Sequence, residues 1–402
     1  MPTIPERIHQ FNSDRLPEFT ALKYQLMAEN PFRFLRGSCH IFYEDLAGGV
    51  NPAPLPGSPL SWVCGDLHLE NFGTYKGDNR LVYFDLNDFD EGALAPVSWE
   101  LTRMLTSIYA GLGSLGIKKK EATGIATLFV KTYSTRLALG KARYIERQTA
   151  RGIVRSFLDK VGERKQKELI RQRTFEKNGS LRIRVDHVRF FPLEKALRRE
   201  LSAHLTQWIH KEPSLDGRNR VLDAAFRVAG TGSLGIPRYV FLLRNNKDPK
   251  KHLLIDMKQS RPSCLEPWLP HPRPSWVSEA DRIVHIQGRM QNIPPALLST
   301  TSFRGEPYVL KELQPTADKI DFLLMKDRYE DIACVIEDMA LLMASSQLRS
   351  AGRQGSAIAD ELIAFGNEKS WQQELLNYAL AYSGQVKKDY EAYFTAFKAG
   401  YF

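Results

Sequence analysis

The sequence predicts an α+β protein of two lobes, a small one built on an antiparallel sheet and a larger, mainly helical one. Three observations carry that expectation. Apolar residues recur with helical spacing from Trp99 to about Leu139, and a helical pattern returns from Thr316 onward. Residues 226–313 change character: Phe226–Ala229, Tyr239–Leu243, His252–Met257 and Tyr308–Leu310 read as strands between turn-rich segments. Two further apolar runs, Leu60–Cys64 and Leu81–Phe84, end in clusters of carboxylates and amides. The expected division is 1–225 for a helical lobe with those polar clusters, 226–313 for the sheet lobe, and 314–402 for helices completing the larger lobe.

Taken in order, residues 1–60 open with a polar lead and a helix-like stretch, Pro31 to Leu46, then a Gly- and Pro-rich loop from Gly48 to Pro59. The two apolar runs follow as strands. The helical stretch 99–139 is broken near Gly111–Gly116, and Lys118–Lys120 marks a helix start. Residues 140–225 read as charged amphipathic helices. The Pro-rich interval 262–275 reads as a surface connection, and Ser278 to Asn292 is helical. An aromatic tail (Tyr390, Tyr393, Phe394, Phe397, Tyr401, Phe402) fits core packing of a last helix.

Composition bounds the function classes. The chain has 402 residues, 43% hydrophobic and 25% charged, enough for more than one core. The start, MPTIPERIHQF, lacks a signal-peptide pattern, and no window approaches about 18 uninterrupted apolar residues. Cys39, Cys64, Cys264 and Cys334 lie far apart, which suggests neither a zinc site nor a disulfide framework and fits a reducing cytoplasm. The formal charge of +10 favours anionic partners. Its densest stretch runs from Arg164 to Arg184. Glu163, Glu168 and Glu176 are interspersed there, so it reads as a solvated helix face, and no recognised nucleic-acid-binding motif accompanies it.

The polar clusters carry the chemistry. Gly65-Asp66-Leu67-His68-Leu69-Glu70-Asn71 follows one strand, and Asp85-Leu86-Asn87-Asp88-Phe89-Asp90 ends the next. Strand ends joined by a short turn lie close together, so these oxygens can converge. Magnesium takes hard oxygen ligands, commonly one or two carboxylates plus substrate phosphates. A phosphoryl transfer also needs a carboxylate to orient and deprotonate the attacking hydroxyl. The bland alternative is a polar turn at a strand end.

A second feature is Gly230-Thr231-Gly232-Ser233-Leu234-Gly235. Alone it is a weak signal. A strand follows it, where a dinucleotide-binding loop would open a helix, and no Walker G-K-[ST] is present. Strand, glycine loop, strand is the arrangement in which backbone N–H groups cover ATP phosphates. The next apolar run ends at Lys258, where a lysine can hold the α- and β-phosphates. Candidate partners for it on the following helix are Glu279, Gln287 and Gln291.

GDLHLEN resembles the catalytic loop of aminoglycoside and choline kinase-like phosphotransferases, H-G-D-x-H-x-x-N, with Cys64 in place of the first His. Asp88-Phe89-Asp90 resembles that family's second acidic motif, and Glu100 then falls where its later acid sits. The resemblance implies Asp66 as the base-like carboxylate, Asn71 as a metal ligand and Asp88 as the main one, with Asp85 and Asp90 as rivals. It implies ATP and Mg2+ as cofactors, with Gly230, Gly232, Ser233, Gly235 and Lys258 on the nucleotide. His68 reads as a structural hydrogen-bonding residue of the loop. The stretches FRFLRG, CGDLHLENFG, FDLNDFDE and SWELTR also resemble a bacterial family, DUF2252, over most of the chain. In ordinary kinases the glycine loop precedes the catalytic loop; here it follows. A circularly permuted, protein-kinase-like fold reconciles the two motifs, with Tyr308–Leu313 as a hinge-side strand. The expected activity is phosphotransfer to an unidentified small-molecule hydroxyl. A nucleotide-binding pseudoenzyme, a metal-dependent phosphohydrolase and a nucleic-acid binder are the competing readings.

Overall fold

The computed structural model describes residues 2–49, 55–215, 219–269, 274–315 and 318–402. Four short helices open the chain. Thr3 and Glu6 form a reciprocal capping box on α1 (Ile4–Asn12). Prolines sit in the first turns of α2 (Pro17–Met27) and α3 (Pro31–Gly37), where a missing N–H costs nothing. The run expected as one helix from Pro31 to Leu46 breaks at Ser38, and α4 (Cys39–Ala47) follows. Gly37, just before the break, lets α3 lie close on α2: a Cβ on it would meet Met27 Cγ at 2.4 Å.

Next come β1 (Leu60–Val63), β2 (Phe72–Lys76), β3 (Val82–Leu86) and β4 (Ala93–Pro96). β1 pairs antiparallel with β4, and β2 with β3. The edges of the second pair take β5 (Ile145–Glu146) and β14 (Asp318–Lys319). Long helices α5 (Val97–Ser114), α6 (Lys119–Ala138), α11 (Tyr329–Ser350), α12 (Ala359–Asn367) and α13 (Ser370–Lys398) make the main apolar core beneath these strands. Tyr393 is buried beside Tyr24, Phe34 and Phe42, so the last helix and the N-terminal helices share a core.

The segment expected to be helical, 140–225, is mixed. It holds α7 (Gly152–Gly162), α8 (Gln166–Arg173), the hairpin β6 (Thr174–Lys177) and β7 (Ser180–Ile183), β8 (Phe190–Phe191) and α9 (Lys195–Lys211). The hairpin's turn is Asn178-Gly179, both at positive φ (51° and 68°), a strong short-range hairpin signal. Its short, largely exposed strands carry too few apolar residues to show a period. β9 (Asn219–Arg227) crosses the expected boundary at residue 226.

A six-stranded antiparallel sheet runs β12-β13-β11-β10-β9-β8, with β10 (Arg238–Asn245), β11 (His252–Gln259), β12 (Ser299–Phe303) and β13 (Glu306–Glu312). Alternation along its strands sorts the two faces. Phe226, Phe241, Leu243 and Ile255 pack under Leu201, Leu205 and Ile209 of α9. Val240, Leu242 and Leu254 meet Ile170 and Ile183 on the other side. α9 and the 174–191 strands therefore belong with the sheet. α10 (Glu279–Met290) lies against β12 and β13.

The expected loop Gly48–Pro59 includes residues 50–54, the Pro-rich interval 262–275 includes 270–273, and the expected helical start at Thr316 includes 316–317; those positions lie outside the described residues. Among the described residues no helix is long and apolar enough to cross a membrane.

Candidate functional site

Residues 64–71 leave β1 and residues 87–92 leave β3, and both segments run at the junction of the two strand pairs. Gly65 has φ +85°, and a Cβ there would lie 2.1 Å from Glu91 O, so only glycine lets the two loops touch. Glu100 holds the first loop from below. Its Oε1 accepts from Cys64 N (2.7 Å) and Gly65 N (3.3 Å), and its Oε2 from Gln347 Nε2 (3.3 Å). Burial pushes its pKa up to about 7. Asn71 joins the loops: Nδ2 donates to Asp66 O (3.0 Å) and Asp88 O (3.2 Å), while Oδ1 accepts from Asp88 N (2.8 Å).

Asp66 Oδ1 accepts from Arg103 Nη2 (2.6 Å) and Nε (3.1 Å). Arg103 is fully buried and also donates to Leu35 O at 2.8 Å, so the carboxylate is held in one orientation. His68 Nδ1 accepts from Glu70 N at 3.1 Å. Burial, then Arg36, Arg103 and Lys319, pull the His68 pKa well below its usual value and keep the ring neutral.

The sheet supplies the opposite wall. Asp256 and Lys258 share one face of β11, with Arg238 of β10 opposite Lys258 and Lys311 of β13 opposite Asp256. Asp256 accepts from Arg227 (2.6 Å) and Arg238 (2.5 Å). Burial alone would raise its pKa, yet the two guanidiniums hold it far below the usual carboxylate range. The Lys258 ammonium donates to Asp90. Burial opposes its charge, but Asp88 and Asp90 raise its pKa above the ordinary lysine value. Asp88 lies deep in the cleft and open to its solvent. Burial would raise its pKa; Lys258 and Lys311 lower it instead. Arg282 of α10 ties the acidic turn to this wall, donating to Gly92 O, to Asp90 O (2.7 Å) and to Arg261 O (2.9 Å).

The glycine loop joins β9 to β10 above the same cleft. Gly235, at φ +84°, lies so close to α2 that a Cβ would meet Thr20 Oγ1 at 2.7 Å. The loop is fastened by the N-terminal helices. Arg15 Nη1 donates to Gly232 O (2.6 Å) and Leu234 O (2.8 Å), and Lys23 Nζ to Gly232 O (3.1 Å).

Two adjoining cavities result. One of about 220 Å³ is lined by Asn71, Asp88, Asp90, Lys258, Lys311 and Gln287. The other, of about 90 Å³, lies among Asp66, Arg15, Lys23, Gly230, Gly232 and Ser233. Arg36, His68, Asp88, Asp90 and Gly230 border both. Of the sequence candidates, Asp66, Asn71, Asp88, Asp90, Lys258, Gly230, Gly232 and Ser233 meet here. Gly235 serves the packing on α2. Asp85 is engaged elsewhere: it is buried with Arg349 Nη2 at 3.5 Å, and burial pushes its pKa up to about 6. Lys258 takes Asp90 as its partner, whereas Glu279 is held by Arg282 (2.6 Å) and Gln291 donates to Leu86 O (2.6 Å).

Sequence reasoning assigned no role to Arg15, Lys23, Arg103, Arg238, Arg282 or Lys311. One signal was available: Lys23 falls on the buried face of α2 with Phe19, Thr20, Tyr24 and Met27. Among the described residues no three His, Cys, Asp or Glu side chains stand close enough to hold an ion by themselves. Residues 15–396 match the model of a family described as "Uncharacterized protein conserved in bacteria (DUF2252)". No curated protein matches the chain, and no solved structure does.

Proposed function

We propose that this chain, which belongs to the DUF2252 family, is an ATP- and magnesium-dependent phosphotransferase of the kinase-like type, acting on a small-molecule hydroxyl. One observation carries the reading. A largely buried lysine on the second strand after a glycine loop lies against the acidic turn 88–90, across one cleft from Asp66. The helix that follows that strand, α10, clamps the same turn through Arg282. These elements match the parts that phosphoryl transfer uses, in a permuted chain order.

The residues fit a metal that keeps most of its ligands from substrate. Asp88 offers a carboxylate to the larger cavity, and no protein-only cluster exists among the described residues, as suits magnesium held by one or two carboxylates and phosphate oxygens. When bound there, magnesium would supply charge neutralisation of the phosphates. Lys258 would add a fixed positive charge, and Lys311 a second. Backbone N–H groups of the glycine loop would cover the phosphates. Asp66, oriented by Arg103 on Oδ1, would accept the acceptor hydroxyl's proton on Oδ2. A phosphohydrolase with its own resident metals draws less support, because it would need the missing carboxylate cluster.

The test is a titration with Mg-ATP, followed by tracking of a γ-labelled phosphate on candidate alcohols. Asp66→Asn is expected to abolish transfer while leaving nucleotide binding. Full turnover in that variant, or no response of the chain to Mg-ATP, overturns the reading. Two observations favour nucleotide binding without transfer as the second reading: Asn71 Oδ1 already accepts an N–H, and Lys258 is already paired with Asp90. Binding of Mg-ATP without label transfer to any acceptor selects it.

A further inference from the structure

Arg15 and Lys23 are the unusual pair of charges in this molecule. Arg15 is 9% exposed and Lys23 1% exposed, and both line the smaller cavity. Buried cations are normally matched by carboxylates. The other charges around this cavity are: Asp66 has Arg103, Asp90 has Lys258, Arg36 has Glu70, and Arg261 has Asp14. Asp88 answers to Lys258 and Lys311. Glu91 accepts from Cys264 N at 2.6 Å and offsets the charges of Arg15 and Lys23 only from beyond ion-pair distance. Among the described residues, no carboxylate comes within ion-pair distance of Arg15 or Lys23.

What they hold instead is neutral. Arg15 reaches two glycine-loop carbonyls, and Lys23 reaches Gly232 O and Asn12 Oδ1 (2.9 Å). Both sit beside the Phe11 ring, at 5.5 and 5.8 Å from its centroid, which offsets a part of one charge. Arg15 Nε is buried and has no hydrogen-bond partner. Two desolvated positive charges and an unused donor therefore border a cavity with room for several water-sized groups.

We infer that this smaller cavity binds a phosphate-like anionic group, held by Arg15 and Lys23 beneath the glycine loop and next to Asp66. The inference rests on the phosphotransferase reading only for what the anion belongs to: the terminal phosphate of the nucleotide, or an anionic group on the acceptor. Arg15, in the turn between α1 and α2, and Lys23, on α2, lie outside both motifs that suggested phosphotransfer. An anion would restore favourable solvation to both cations, whose pKa burial lowers, Arg15 to about 10 and Lys23 well below its usual value.

The experiment is calorimetric titration of the full chain with inorganic phosphate, on wild type, Lys23→Gln and Arg15→Gln. Lys23→Gln keeps a donor for Asn12 and Gly232 while removing charge, so its unfolding midpoint without phosphate is expected to hold or rise. Its phosphate affinity is expected to fall about tenfold or more, the size of one charge-assisted hydrogen bond. No phosphate binding by wild type, or affinity unchanged from wild type in both variants, overturns the inference; the latter result marks an adventitious ion only. Repeating the titration with saturating Mg-ATP separates the sources: exclusion of phosphate assigns the site to the nucleotide's terminal phosphate, and retained binding assigns it to the acceptor. A chain that binds phosphate through Lys23 but ignores Mg-ATP keeps the anion site and loses the phosphotransferase. A chain that binds Mg-ATP but not phosphate does the reverse.

Discussion

Glu100→Gln gives a test whose size follows from the geometry. Glu100 is fully buried, and its Oε1 supports Cys64 N and Gly65 N, the backbone that sets Asp66. Burial moves its pKa from 4.5 to about 7. Between those values the folded chain binds a proton that the unfolded chain does not, so stability falls as pH rises. The contribution is full below the unfolded value of 4.5 and is lost as pH passes about 7. At about 1.4 kcal/mol per pH unit, the wild-type loss across the window is about 3 kcal/mol.

Glutamine keeps an oxygen for Cys64 N and Gly65 N and carries no charge, so its own curve lacks that slope. It also turns an amide toward Gln347, whose Oε1 already accepts from Tyr133 OH, and that mismatch costs about 1 kcal/mol. The variant is therefore expected to be less stable than wild type near about pH 4, about equal near about pH 5, and more stable, by about 2 kcal/mol, near about pH 8. Asp85 (about 6), Asp338 (about 7) and Asp389 (about 6) titrate in the same direction, but they are common to both chains and cancel in the difference. Urea unfolding of both proteins at several pH values reads the result. Two parallel curves would refute the argument, because they would mean that Glu100 is charged in the folded chain throughout.

Two other expectations follow from the site. Lys258→Met should weaken Mg-ATP binding about tenfold or more, the scale of one charge-assisted contact; calorimetry giving wild-type affinity would remove Lys258 from the nucleotide's partners. Asp85→Asn should leave Mg-ATP binding intact and lower stability by about 1–3 kcal/mol, because Arg349 loses its buried partner. Loss of the Mg-ATP response at native stability would return Asp85 to the candidate metal ligands.

Which parts of this arrangement were legible depends on how local they are. The acidic turn, the glycine loop and Lys258 each announce themselves within a few residues of a strand end, where turn chemistry and period change together. The hairpin at Asn178-Gly179 was equally local, and its turn dipeptide was a clearer sign than the short exposed strands around it. The brackets are not local. Arg103 on the apolar helix α5, Arg282 on α10 and Arg15 in the turn between α1 and α2 act on carbonyls and carboxylates that other segments supply, and none of these segments reveals which partner its arginine will reach. Lys23 is intermediate: a lysine on an apolar helix face is a visible anomaly, but only the fold shows that it lies under the glycine loop.

The brackets also explain how segments far apart in the chain come to share one cleft. Only a long stretch of chain, more than a hundred residues of helices and strands, joins the acidic turn to Lys258. The cleft is set instead by side chains that cross it. Arg282 carries the acidic turn on α10, Arg15 and Lys23 carry the glycine loop on the N-terminal helices, and Glu100 with Asn71 holds Asp66 and Asp88 together. Each bracket is a buried donor or acceptor whose partner must be present or leave it unsatisfied, at about 1–3 kcal/mol apiece. Register across the cleft is thus set by polar matching between segments that lie far apart in the chain.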